Sequence, residues 1–195
     1  MDRVVILGTT GSGKTTFSRK LAVRLDAPPV ELDALHWGPD WTPRELSEFR
    51  ERVRRATEGT RWIVDGNYSA VRDIVWSRAD TLVWLDYPLS RILWRLLRRT
   101  MHRVLSREEL WNGNRERLAT AFFHRESLFF WAVKTHRRRR REYPAAFRQP
   151  AFAYTTVIRF GSPGSAERWL ASVFPAASSD GSSPCSHASE PEQHS

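Results

Sequence analysis

Near the amino end, Gly8-Thr9-Thr10-Gly11-Ser12-Gly13-Lys14-Thr15 has the residue types and the G-x-x-x-x-G-K-[ST] spacing that suit one task, cradling a chain of phosphates. Glycines without a Cβ let the backbone take positive φ and turn its N–H groups inward onto an anion. Lys14 then reaches the β- and γ-phosphates, the Thr15 hydroxyl is placed to coordinate Mg2+, and Thr16 can bond an α-phosphate oxygen. The expected ligand is ATP with Mg2+, bound by Gly8, Thr9, Thr10, Gly11, Ser12, Gly13, Lys14, Thr15 and Thr16.

A magnesium nucleotide needs a second anchor, normally a carboxylate at the end of a strand beside the loop strand. Asp65, after Trp62-Ile63-Val64, and Asp86, after Leu82-Val83-Trp84-Leu85, both fit. Asp65 is preferred because Gly66 lets a ligand approach the backbone, whereas Asp86 precedes a helix and reads as its N-cap. Asp33, in Glu31-Leu32-Asp33-Ala34-Leu35-His36-Trp37, suits holding or deprotonating an acceptor hydroxyl; a turn aspartate bonding local backbone is the structural alternative. Trp37 and Trp41 either stack on a planar acceptor or cover the end of a core. Phosphoryl transfer also needs cations over the moving group and a cover against water. Arg103, Arg107 and Arg115 are the expected lid cations because they flank Asn112-Gly113-Asn114, a polar turn at a lid tip.

The elements that must carry these residues follow from hydrophobic period. Short apolar runs, Arg3 to Leu7, Val30 to Leu32, Arg61 to Val64, Thr81 to Leu85 and Thr155 to Phe160, alternate with helical segments, the pattern of a parallel sheet covered by helices. Phe17, Leu21 and Leu25 recur every four residues until Pro28-Pro29 stops the helix. Thr42-Pro43-Arg44-Glu45 reads as a capping box opening a helix with Leu46, Phe49, Val53 and Ala56 on one face. From Leu89 to Phe152 helical periodicity and arginine take over, an insertion on the α/β core. There Arg91, Arg95, Arg99, Arg103 and Arg107 recur every four residues opposite Leu93, Leu96, Leu97, Thr100 and Val104.

Composition sets the outer limits. The chain has 195 residues, 41% hydrophobic and 27% charged, enough for one globular domain with a real core. It carries 31 basic against 22 acidic residues, a net charge of +9, and Lys14, Lys20 and Lys134 are its lysines, so the excess is guanidinium. Anionic partners are favoured, and the consecutive Arg137 to Arg141 keep a nucleotide-dependent DNA- or RNA-binding regulator open as the alternative to an enzyme. Cys185 has no second cysteine to pair with, and the first apolar run is too short for a signal or a membrane span, so a cytoplasmic setting is expected. Residues 176–195 hold no large apolar side chain and read as a disordered tail behind a domain of residues 1–175.

With these stretches in view, the chain resembles P-loop kinases related to adenylate kinase, and more narrowly a bacterial group labelled DNA topology modulation or adenylate-kinase-like proteins. The resemblance runs from about Arg3 to Leu170. Its marks are Glu31 to Trp37, Trp62 to Tyr68, Arg78-Ala79-Asp80, Trp84 to Pro88 and Leu110 to Glu116. It implies the three-layer P-loop NTPase fold, a five-stranded parallel sheet of order 2-3-1-4-5 with the loop strand central and Asp65 on its neighbour, and Gly161 beside the adenine. Nucleoside monophosphate kinases commonly carry Asp-Gly-Phe-Pro-Arg where this chain has Asp65-Gly66-Asn67-Tyr68-Ser69, so the arginine that grips the monophosphate is replaced. That departure brings a small hydroxylated acceptor held by Asp33 into view beside a nucleotide one.

Overall fold

In a computed structural model, residues 1–106 and 128–173 are described. Strand β1 (Arg3–Gly8) leads through the glycine-rich loop into helix α1 (Lys14–Leu25); β2 (Pro29–Glu31), α2 (Leu32–His36) and α3 (Leu46–Ala56) follow. Then come β3 (Trp62–Asp65), α4 (Arg72–Arg78), β4 (Thr81–Leu85), α5 (Leu89–Ser106), α6 (Leu128–Phe147), β5 (Thr156–Phe160) and α7 (Pro163–Val173). The five strands pair in parallel in the order β2-β3-β1-β4-β5, which puts β1 and its loop at the centre with β3 and β4 on either side.

Both faces of the central strand are covered, as its uninterrupted apolar run requires. Side chains alternate along it. Val5 and Leu7 join Val64, Leu82 and Trp84 under Phe49 and Val53 of α3, Ile74 and Val75 of α4, and Tyr143 of α6. Val4 and Ile6 join Ile63, Val83 and Leu85 under Phe17 and Leu21 of α1, Ile92 of α5 and Leu170 of α7. Helix α1 stops where Asp26 turns left-handed, φ 48°, just before Pro28 and Pro29.

Two local expectations shift. Helix α3 opens later than the Thr42-Pro43 signature predicts: Glu45 is its cap, its carboxylate accepting from the N–H groups of Ser47 and Glu48. Pro43 instead pairs with Trp37 in an isolated antiparallel bridge, since its fixed φ and missing N–H suit an extended edge as well as a helix start. Leu46 is consequently 55% exposed, while Phe49 and Val53 are buried. The second strand ends at Glu31, one residue early, so Asp33 rides on α2.

The inserted region is helical where it is described, and α5 and α6 pack together. Ile92, Leu96 and Thr100 form the buried row of α5. The cationic stripe does not lie wholly opposite that row, because Arg95 and Arg99 are half-buried on a flank turned toward the glycine loop. Arg107 and Arg115 lie outside the described residues, as do the Arg103 side chain and the 176–195 tail.

Candidate active site

The glycine loop is built as a cradle. Gly13 caps α1 in the left-handed region, φ 91°, and Gly11 stands at φ 81° with the Ile92 carbonyl oxygen 2.9 Å from where a Cβ would lie. Helix α5 therefore sits directly on the loop. Thr9 and Ser12 are buried and joined by a turn bond from Ser12 N to Thr9 O of 3.0 Å, while the Ser12 hydroxyl has no partner among the described residues. Thr16 is exposed on the first turn of α1. Lys14 folds back so that its ammonium lies 3.5 Å from Thr9 O. Burial pushes its pKa down, Asp65 opposes that, and the nearby Arg139 and Arg99 reinforce it.

Asp65 ends β3 against Ile6 of β1 and accepts a 2.5 Å hydrogen bond from Thr15 Oγ1. Its other oxygen is buried and has no partner among the described residues, and burial raises the Asp65 pKa against the pull of Lys14 and the Thr15 bond. A hydroxyl and a carboxylate side by side, with one carboxylate oxygen unclaimed, fit Mg2+, which takes one or two protein oxygens and completes its shell with substrate phosphates and water. Among the described residues no cluster of three or more His, Cys, Asp or Glu offers an all-protein metal cage.

Asp86, the rival anchor, is engaged elsewhere and is not the N-cap the sequence suggests. Arg159 of β5 and Arg140 of α6 both bind its carboxylate, Arg140 at 3.0 Å, and the Arg159 guanidinium lies 4.7 Å from the Trp84 ring centre. The structure thus separates two aspartates that the sequence could rank but not resolve.

On the other side of β3, Asp33 accepts a 2.6 Å hydrogen bond from Tyr68 Oη. Burial and the neighbouring Asp33 both drive the Tyr68 pKa upward, so the phenol stays a donor. His36 packs against Tyr68 and Phe49 at ring distances of 4.6 and 4.9 Å, and burial lowers its pKa. Trp37 stands edge-on to Trp41 at 5.7 Å in the loop that follows, where Asp40 and Trp41 take φ of 53° and 54°. Gly161, just past β5, has open space where a side chain would stand.

Sequence reasoning missed the groups that α6 brings to the loop. Arg139 is 8% exposed and donates to Gly8 O at 3.2 Å, and burial lowers its pKa while the nearby Tyr143 opposes that. His136 lies 3.4 Å from the Thr9 hydroxyl, and Arg95 of α5 donates to Ser12 O at 3.3 Å. The arginine run gave no hint of which member turns inward, because consecutive helical residues point 100° apart and the register depends on how α6 docks.

No family model matches the chain, and no curated protein matches it. Among solved structures, shikimate kinase from Bacteroides thetaiotaomicron is similar at 14% identity over 88% of this chain and 96% of its own, TM-score 0.52. Shikimate kinase from Acinetobacter baumannii, solved in complex with shikimate, is similar at 14% identity over 89% and 90%, TM-score 0.52. The fold shared with these two structures is the three-layer P-loop NTPase fold, a parallel sheet of order 2-3-1-4-5 flanked by helices. A gluconokinase from Sinorhizobium meliloti is 18% identical over 89% of this chain and 93% of its own, TM-score 0.49. No described helix is long and apolar enough to cross a membrane.

Proposed function

We propose that this chain transfers the γ-phosphoryl group of MgATP to a small hydroxyl-bearing acceptor held by Asp33. The observation that carries the reading is the convergence, at the carboxyl edge of β1, β2 and β3, of the phosphate cradle, a Thr15–Asp65 pair with an unclaimed oxygen, and the Tyr68-oriented Asp33. Loop N–H groups and Lys14 hold the β- and γ-phosphates, and Thr15 and Asp65 hold Mg2+. When bound, the ion neutralises charge building between the β- and γ-phosphates.

Tyr68 fixes the Asp33 carboxylate, which orients the acceptor hydroxyl and takes its proton as oxygen attacks Pγ in line. The bond from Pγ to the β–γ bridging oxygen breaks and ADP leaves with that electron pair. Arg139, Arg95 and Arg99 supply the positive field around the loop, and Arg103, Arg107 and Arg115, whose side chains lie outside the described residues, are the further cations expected over the moving phosphoryl group. Gly161 borders the adenine. The acceptor is a small metabolite or a nucleoside monophosphate. Asn67-Tyr68-Ser69 in place of Phe-Pro-Arg favours the former within an adenylate-kinase-like group.

ADP release measured over a panel of hydroxylated metabolites and nucleoside monophosphates tests the proposal; absence of acceptor-dependent stimulation above basal hydrolysis counts against it. Lys14→Ala is expected to lower turnover on the order of 10²–10³-fold by removing a transition-state cation. The nucleic-acid alternative weakens, since Arg139 and Arg140 of the run are committed to Gly8 and Asp86.

A further inference from the structure

We infer that Asn67 is a positioning residue that holds the mouth of the phosphate loop in its nucleotide-receiving shape by standing in, with its side chain, for a missing stretch of strand. The inference rests on the MgATP reading above.

Along β1 and β3 the register pairs Arg3 with Trp62 and runs on to Ile6 with Asp65, and there the ladder stops. Gly66 takes φ 150°, with Leu32 pressed where its Cβ would be, and carries the chain away from the sheet. Gly8, buried at the start of the loop, is still paired with Leu85 on the β4 side but has no β3 backbone beside it. A buried N–H and C=O left unpaired would cost free energy and let the peptide swing.

The side chain of Asn67 fills that place. Its Oδ1 accepts from Gly8 N at 3.1 Å and its Nδ2 donates to Gly8 O at 2.5 Å. A primary amide carries a donor and an acceptor on separate atoms, so one side chain can satisfy both the N–H and the C=O of one residue; an ionised carboxylate of that size, which only accepts, cannot reproduce the pair. The second acceptor site on each oxygen is used by α6: Tyr143 Oη donates to Asn67 Oδ1 at 3.1 Å and Arg139 Nη1 donates to Gly8 O at 3.2 Å.

The backbone of Gly8 sets the direction in which the following N–H groups face. Fixing it from β3 and from α6 makes the cradle's shape depend on Asn67 and, through Tyr143, on the docking of α6. Asn67 touches neither substrate in this scheme; it acts through the loop.

The test uses the full chain in three variants, Asn67→Ala, Tyr143→Phe and the pair together, read by MgATP titration calorimetry and by thermal melts with and without MgATP. Asn67→Ala should weaken MgATP about tenfold, the loss of two well-made hydrogen bonds expressed in affinity. Tyr143→Phe keeps the ring in its aromatic packing and should weaken it about two- to threefold. In the pair, Tyr143→Phe should add nothing further, because both act through one oxygen. Loss of the MgATP-induced rise in melting temperature should follow the same order.

A purely structural role gives the opposite pattern: melting falls in both single variants, MgATP affinity stays within twofold of wild type, and the two losses add. That result overturns the inference. Should Asn67→Ala fail to fold, Tyr143→Phe alone decides, with unchanged affinity counting against Asn67. Failure of the unmodified chain to bind MgATP overturns the nucleotide reading itself and this role with it, and is told apart by appearing before any substitution.

Discussion

Asp65 and Asp86 occupy matching places on the two flanks of β1, one closing β3 and the other following β4, and both are buried. Their surroundings are opposite. Asp86 faces two guanidinium groups and is spoken for; Asp65 faces a single hydroxyl, shares Lys14 at longer range and keeps one oxygen without a partner. Residue type, burial and position in the topology are equal, so what separates a girder from a proposed ligand is whether the charge is already answered within the fold.

The contrast can be broken at Asp65 first. Asp65→Asn is expected to weaken Mg2+-dependent ATP binding by about 10- to 100-fold, as losses at metal-orienting carboxylates do, while lowering the melting temperature less than Asp86→Asn. Calorimetry with and without magnesium checks the first half and melting curves the second. A reversed order of the two variants in either assay would end the assignment.

Acidity gives the next largest effect. Because burial holds the Asp65 pKa above the ordinary carboxylate range, its charge is lost as pH falls through that raised value, and magnesium-dependent affinity should decline at a higher pH than for a surface aspartate. The sign for the folded chain is the reverse: a raised carboxylate pKa means the native state takes up the proton more readily, so ionising Asp65 costs stability as pH rises. Binding measured from pH 8 down to pH 5, approximate limits suited to carboxylate titration, should show this limb in wild type and in Asp86→Asn but not in Asp65→Asn.

Asp86→Asn is the third lever. It should cost roughly 2 kcal/mol of stability, reduced from a fully buried pair because Arg140 and Arg159 are half exposed, and should shift MgATP affinity little. Smallest of all, Arg137→Ala and Arg141→Ala, on the exposed side of α6, should change stability by under about 0.5 kcal/mol. A large effect there would mean that the run works as a unit, against the division of labour that gives Arg139 to the loop and Arg140 to Asp86.

Much of this was legible in the residues. Each strand was placed to within a residue of its ends, because a buried parallel strand is a short unbroken apolar run bounded by glycine, proline or charge. The G-x-x-x-x-G-K-[ST] loop was legible because spacing alone defines it; the reason for preferring Asp65 was not, since Leu32, and no open approach to the backbone, occupies the place of a Gly66 side chain, and the unpartnered Asp65 oxygen is the observation that favours it instead. The start of α3 was misjudged since Thr42 and Glu45 both have capping chemistry and only the Trp37–Pro43 bridge decides between them. Arg139, His136 and Tyr143 were invisible for a deeper reason. Their role is fixed by the docking of a helix that lies 76 to 131 residues further along the chain than the groups they bind, and no local period encodes that.

The turn from Asp65 to Tyr68 ties down Thr15, Gly8 and Asp33 with three side chains in four consecutive residues. An engineer wishing to redirect this scaffold to a different recipient has no freedom there, since a one-residue insertion would throw all three attachments out of alignment at once. On the proposed reading, retargeting has to be done across the gap, on the tryptophan-bearing segment behind the α2 helix, where a change of shape leaves the Tyr68–Asp33 attachment in place.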